Sequence, residues 1–294
     1  MVKIGIPRGL FYYYYSDMWL SFFDKLGVEY VISPETNGQI IELGNSNSSD
    51  EMCLSMKNYI GHVAYLCDKC DCILVPRIDN YGRFFQTCTN FLACYDIINN
   101  LFDVNIVDYN ICYTDGETSK KAFIDLGKRL GFSARESRNA YYYALSKSKK
   151  NLKSKISVNM NNLNKSCKKI LLVSHPYNTY DSTIGLKIID YLESIGCCII
   201  YSDLFDKDLC SEKSLDLCDG LYWKFSREII GSIELCRDKV NGIIFLSTFP
   251  CGLDSLVNEL VIRKLDIKCL NLVIDEEYAF AGIETRLESF VDIV

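Results

Sequence analysis

Eight short apolar runs, each bounded by turn residues, most constrain what this chain can fold into. In the first half they are Val2–Pro7, Val28–Ser33, Cys72–Pro76 and Val104–Asp108, and in the second half Lys169–Ser174, Cys197–Tyr201, Gly242–Ser247 and Cys269–Asp275. They are too short for helices and do not alternate with polar residues, which is the pattern of strands buried on both faces. Longer mixed stretches between them, such as Tyr12–Leu26 and Glu51–Leu66, suit helices. Asp181 is placed to cap a helix with Ile184, Ile188, Leu192 and Ile195 on one face. Leu253, Leu256, Val257, Leu260 and Val261 predict another such face. Strands alternating with helices predict an α/β protein with two doubly wound parallel sheets, about four strands in each.

The expected boundaries are an N-terminal domain at 1–113, a helical connection and linker at 114–168, and a C-terminal domain at 169–294. Residues 117–145 read as helix, and the SKSKKNLKSK segment that follows is lysine-rich. That segment is either a solvated helix with a linker or a cationic patch for an anionic ligand such as coenzyme A phosphates. The two halves echo each other. Each opens with a strand running into a proline-containing loop, IGIPRG and LLVSHPYN, and each places a cysteine after a later strand, Cys88 and Cys251. Such loops lie at the carboxyl edge of a parallel sheet, where ligands bind. Two such edges facing each other predict an interdomain cleft.

With 49% apolar and 24% charged residues among 294, the chain can bury a large core without covalent staples. A net charge of −6 argues against nucleic acid as a partner. No apolar run reaches the roughly 18 residues of a membrane span. The opening MVKIGIPRG lacks the apolar core of a signal peptide, so a cytoplasmic location is expected.

Fifteen cysteines accompany only two histidines. In a reducing compartment most should pack as small hydrophobes. Cys67-Asp-Lys-Cys70-Asp-Cys72 resembles zinc or redox spacing, but no second pair answers it, and a structural role is expected. Cys197, Cys198 and Cys269 fall on strands and Cys236 on a helix face, so core packing is the expectation for these; Cys94, Cys112, Cys167, Cys210 and Cys218 carry no motif. Cys53, Cys88 and Cys251 differ, because each stands at the start of a helix, where unpaired N–H groups favour a thiolate. They are 35 and 163 residues apart, so only the fold can bring them together. Three thiolates suit an iron–sulfur cluster with one iron lacking a protein ligand, or a zinc ion with a water.

Seven segments in order carry a resemblance: IGIPRGLFYYYYSDMWLSFFDKLG, DEMCLSMKNYIGHV, DCILVPRI, SHPYNTYD, LYWKFSREIIG, FPCGLDSL and IDEEYAFAGIETRLESFVDI. The chain resembles the domain of unknown function related to 2-hydroxyacyl-CoA dehydratases and their activases, found in anaerobes. The resemblance covers nearly the whole chain and is weakest at 114–168. It implies Rossmann-like domains and a [4Fe–4S] cluster held by three cysteines with one open iron. By position Cys53, Cys88 and Cys251 take the ligand role. Ser55 stands where the motif commonly has proline, two residues after Cys53.

The resemblance also draws attention to His175 and His62 as catalytic candidates, with Asn178, Tyr180 and Asp181 in the His175 loop. Arg8 and Arg77 follow strand tips and read either as anion partners or as ordinary ion pairs; Glu276, Glu277, Glu284 and Arg286 read as a solvated helix start. The implied partners are a small-molecule or acyl-CoA substrate and a separate ATP-dependent activator or electron donor. The chain has no GxxxxGKS/T phosphate loop, and Asp115-Gly116-Glu117-Thr118 is an isolated motif, so ATP hydrolysis by this chain is not expected. Two other functions remain open: a non-catalytic cluster carrier or electron-transfer module with a fourth thiolate such as Cys94, and a sulfide-handling enzyme.

Overall fold

The computed structural model describes residues 2–276 and 280–294, and the chain divides into two units, 1–152 and 153–294. The first unit runs β1 (Lys3–Ile6), α1 (Tyr12–Leu26), β2 (Glu29–Ile32), α2 (Gly38–Asn47), α3 (Leu54–Leu66), β3 (Cys72–Leu74), β4 (Arg77–Asn80), α4 (Thr89–Leu101), β5 (Ile106–Val107), β6 (Asn110–Cys112) and α5 (Ser119–Arg129). Helix α6 (Ala134–Asn162) carries the chain into the second unit. There follow β7 (Lys168–Val173), α7 (Pro176–Thr179), α8 (Gly185–Ser194), β8 (Cys197–Tyr201), α9 (Lys207–Leu217), α10 (Lys224–Cys236), β9 (Gly242–Thr248), α11 (Gly252–Ile262), β10 (Cys269–Ile274) and α12 (Phe280–Ile293).

Both units are built on a four-stranded parallel sheet, as the apolar runs predict. The strand orders are β2-β1-β3-β5 and β10-β9-β7-β8. Numbered within its own unit, each sheet has the order 2-1-3-4, so the echo in sequence is a shared topology. The fold is two Rossmann-like parallel-sheet units. A small parallel pair, β4 with β6, extends the first unit. Its strands, RIDN and NIC, carry polar residues and no apolar run, which is why hydrophobic patterning does not find them.

In the second unit, Leu171, Val173, Ile200, Ile243 and Phe245 from the sheet pack with Ile229, Ile230 and Ile233 of α10 and Val257 and Val261 of α11. The face predicted on α11 is partly wrong. Leu256 and Leu260 are 56% and 44% exposed, and the buried side is Asp254, Val257, Asn258 and Val261. Asp254 turns inward where His175 meets it as a hydrogen-bonding partner. The expected Asp181 cap is also displaced: α8 starts after Ile184, and Asp181 instead closes the preceding turn by accepting from Thr183 N and Oγ1 at 2.8 and 2.6 Å.

In the first unit α3 is buried on every side from Leu54 to Val63. It lies so close to α2 that a Cβ on Gly61 would run into the Ile40 carbonyl, and one on Gly44 into the Lys57 carbonyl. This contact holds the end of α3 that begins at Cys53. Residues Lys147, Lys149, Lys150, Lys153 and Lys155 are exposed along α6, which continues as helix through the lysine-rich segment. Among the described residues, no helix is long and apolar enough to cross a membrane.

Candidate functional site

A 2-1-3-4 sheet reverses direction between its first and third strands, and ligands of open α/β sheets bind outside the carboxyl ends at that switch point. In the first unit the switch lies between β1 and β3, and in the second between β7 and β9. After β7 the chain reaches His175, and after β9 it reaches Cys251. The matching cysteine of the first unit, Cys88, follows β3 and its continuation β4.

Cys53 and Cys88 occupy the same local structure. Each is the capping residue of its helix, α3 or α4, in extended backbone with φ −64°, ψ 147° and φ −60°, ψ 146°. Ser55, in place of the motif proline, leaves this start intact. Each thiol is half-buried at a helix N-terminus, where peptide dipoles favour negative charge on sulfur. Asn90, two residues into the helix headed by Cys88, donates its side-chain N–H to Cys53 Sγ at 3.6 Å. The two helix starts therefore converge on one site within the first unit. Thr87, just before Cys88, is fixed by N–H and hydroxyl bonds to the Asp79 carbonyl at 2.9 and 3.0 Å.

The second unit repeats the arrangement with different partners. Cys251 caps α11 and its Sγ accepts from the Asp254 N–H at 3.5 Å. The Asp254 carboxylate reaches His175 Nε2 at 3.1 Å, and both side chains are buried. Asp254 thus ties Cys251 and His175 to one switch point. Tyr177 stacks on the His175 ring, with centroids 5.1 Å apart. Nearby, the Tyr180 hydroxyl bonds both oxygens of buried Asp203 at 3.1 Å, and burial raises the Asp203 pKa above the usual carboxylate range. Asn90, Asp254 and Asp203 were not singled out in the sequence. For Asp254 the available signal was its place in the first turn after Cys251.

His62 sits in different surroundings. It is buried, with Nδ1 2.9 Å from Ser33 Oγ and Nε2 3.1 Å from Thr36 Oγ1. Burial, and secondarily the Arg8 charge, lower its pKa to about 3, so it is neutral at physiological pH. Arg8 pairs with Glu35 at 3.3 Å, and Arg77 forks onto Asp96 at 2.7 and 2.9 Å. Both are the ordinary ion pairs named as one reading above. Arg286 donates to the Asn271 carbonyl at 2.7 Å, while Glu277 lies outside the described residues.

The other cysteines separate clearly from these. Cys67 and Cys70 donate to the Val63 and Leu66 carbonyls at 3.3 and 3.2 Å, at the far end of α3 from Cys53. With Cys72, Asp71 and Asp103 they line a cavity of about 280 Å³. Burial raises all three thiols, Cys72 to about 11. Cys94, Cys210 and Cys236 are buried and pushed up to about 12, which disfavours a thiolate at any of them, Cys94 included. Cys198, expected to pack in the core, is instead disulfide-bonded to Cys167 with Cα atoms 6.0 Å apart. Parallel pairing of β7 and β8 brings these two strand starts side by side. Among the described residues, no three His, Cys, Asp or Glu side chains are arranged to hold a metal ion as they stand.

No curated protein matches the chain. The model of one family, the CoA enzyme activase uncharacterised domain (DUF2229), matches residues 3–205. The match spans the first unit and runs through β8 of the second, including Cys53, His62, Cys88 and His175 but not Cys251. On that coverage the chain belongs to the CoA enzyme activase uncharacterised domain family.

Proposed function

We propose that this chain is an iron–sulfur protein whose cluster is held by Cys53, Cys88 and Cys251, serving a CoA-dependent reaction. The observation that carries the reading is the contact from Asn90 to Cys53 Sγ, because it joins the helix starts headed by Cys53 and Cys88. The donor set fits the group in its chemistry. These three thiols cap helices and are half-buried, whereas Cys94, Cys210 and Cys236 are sealed in apolar surroundings that favour the protonated thiol. The Cys251 sulfur already accepts one N–H, from Asp254.

When bound, a [4Fe–4S] cluster with three protein thiolates supplies single-electron transfer and one open iron for a small ligand. The chain's own contribution is to present the thiolates at helix N-termini and to direct an N–H at Cys53 and at Cys251. His175, oriented by Asp254, adds an imidazole at the same edge as Cys251. The family name points to a CoA enzyme as the partner, and to an acyl-CoA or other small molecule as the substrate class. With no phosphate loop in the sequence, energised electrons would come from a separate ATP-dependent activator or electron donor.

The test is iron and acid-labile sulfide per chain on protein purified without oxygen, with an EPR spectrum after reduction. About four irons and four sulfides, and a spectrum that changes with an added small ligand, support the reading. One zinc, or no metal, overturns it.

A further inference from the structure

Asn90 donates to a candidate thiol from a side chain on a different helix. Cys251 receives its N–H from the backbone of its own helix, a bond that any residue at position 254 other than proline would supply. Cys53 receives its N–H from Asn90, which rides on the helix headed by Cys88. Asn90 therefore acts on the Cys53 sulfur directly, from the helix headed by Cys88. An N–H directed at a thiolate withdraws electron density from sulfur and stabilises the reduced form of whatever redox group that sulfur holds.

We propose that Asn90 is a positioning residue that sets how readily the group held at Cys53 accepts an electron. This rests on the cluster reading above. Asn90→Ala removes the donor, and Asn90→Asp replaces it with a carboxylate facing the sulfur. Neither change touches a thiol or the backbone cap of α4.

The experiment is a reductive titration of anaerobically prepared wild-type, N90A and N90D protein, followed by EPR, with iron content and urea unfolding measured on each. N100A serves as control, because the Asn100 amide only returns to the Asp96 carbonyl one turn earlier on the same helix. The expected result is full iron content and unchanged unfolding in N90A, with the equilibrium constant for reduction about tenfold lower, which is 59 mV for one electron. N90D should shift further in the same direction and N100A not at all. Equal potentials in wild-type and N90A would overturn the role of Asn90 and leave the cluster reading standing. Wild-type protein that assembles no cluster would overturn the cluster reading itself.

Discussion

Asp254 Oδ1 lies 3.1 Å from His175 Nε2, although 79 residues separate them. The pair spans the switch point of the second sheet, with His175 leaving β7 and Asp254 in the first turn of α11. Each side chain meets the other in a buried setting, so changing one disturbs the environment of the other.

H175Q and D254N should therefore each cost about 1–3 kcal/mol of unfolding free energy. The double variant should cost less than the sum, because both changes remove the same contact. Urea unfolding of the four proteins measures the coupling. Strict additivity would show that the contact contributes nothing.

His62 gives an acid sensitivity with a defined sign. Its folded pKa of about 3 lies below the ordinary 6.5, so the unfolded chain binds a proton that the folded chain refuses. Stability from this group is full above 6.5 and falls by about 1.4 kcal/mol per pH unit as pH drops through the window toward 3. Unfolding free energies at pH 7, 5.5 and 4.5 should fall less steeply in H62Q than in wild type. Parallel slopes would mean that His62 is protonated in the folded protein.

The crossing of α2 and α3 depends on glycine. G61A should lose about 1–3 kcal/mol, since its Cβ meets backbone that cannot swing away. At Gly38, the first residue of α2, nothing lies within 4 Å of an added Cβ. G38A should be neutral or raise stability by about 0.4–1 kcal/mol through the unfolded chain. Thermal unfolding of the two variants separates a packing effect from a general intolerance of substitution.

Serine replacements sort the thiols. C53S, C88S and C251S should each lose most of the bound iron, while C67S and C70S, at the opposite end of α3, should keep it. Iron per chain decides the matter, and equal loss in all five would show that the cysteines are sorted wrongly.

The Cys167–Cys198 disulfide closes a segment 31 residues long that contains His175 and Tyr180. Reduction should lower stability by about 3–4 kcal/mol. A C167S variant should match the reduced wild type and show no further response to reductant.

Sequence alone determined the eight principal strands, their parallel class and the three cysteines at helix starts. These are local properties: a short apolar run bounded by turn residues reads as a strand, and a residue just before a helix meets the same unpaired N–H groups wherever that helix sits. Tertiary structure alone decided what those residues touch. Asn90 reaches Cys53 only because α3 and α4 begin at the same edge, and Asp254 reaches His175 only because β7 and β9 are neighbours. The burial of His62, the inward polar side of α11, and the pairing of Cys167 with Cys198 likewise follow from strand order and helix packing. Hydrophobic period registers how a segment is buried, but carries no record of which distant segment completes its hydrogen bonds.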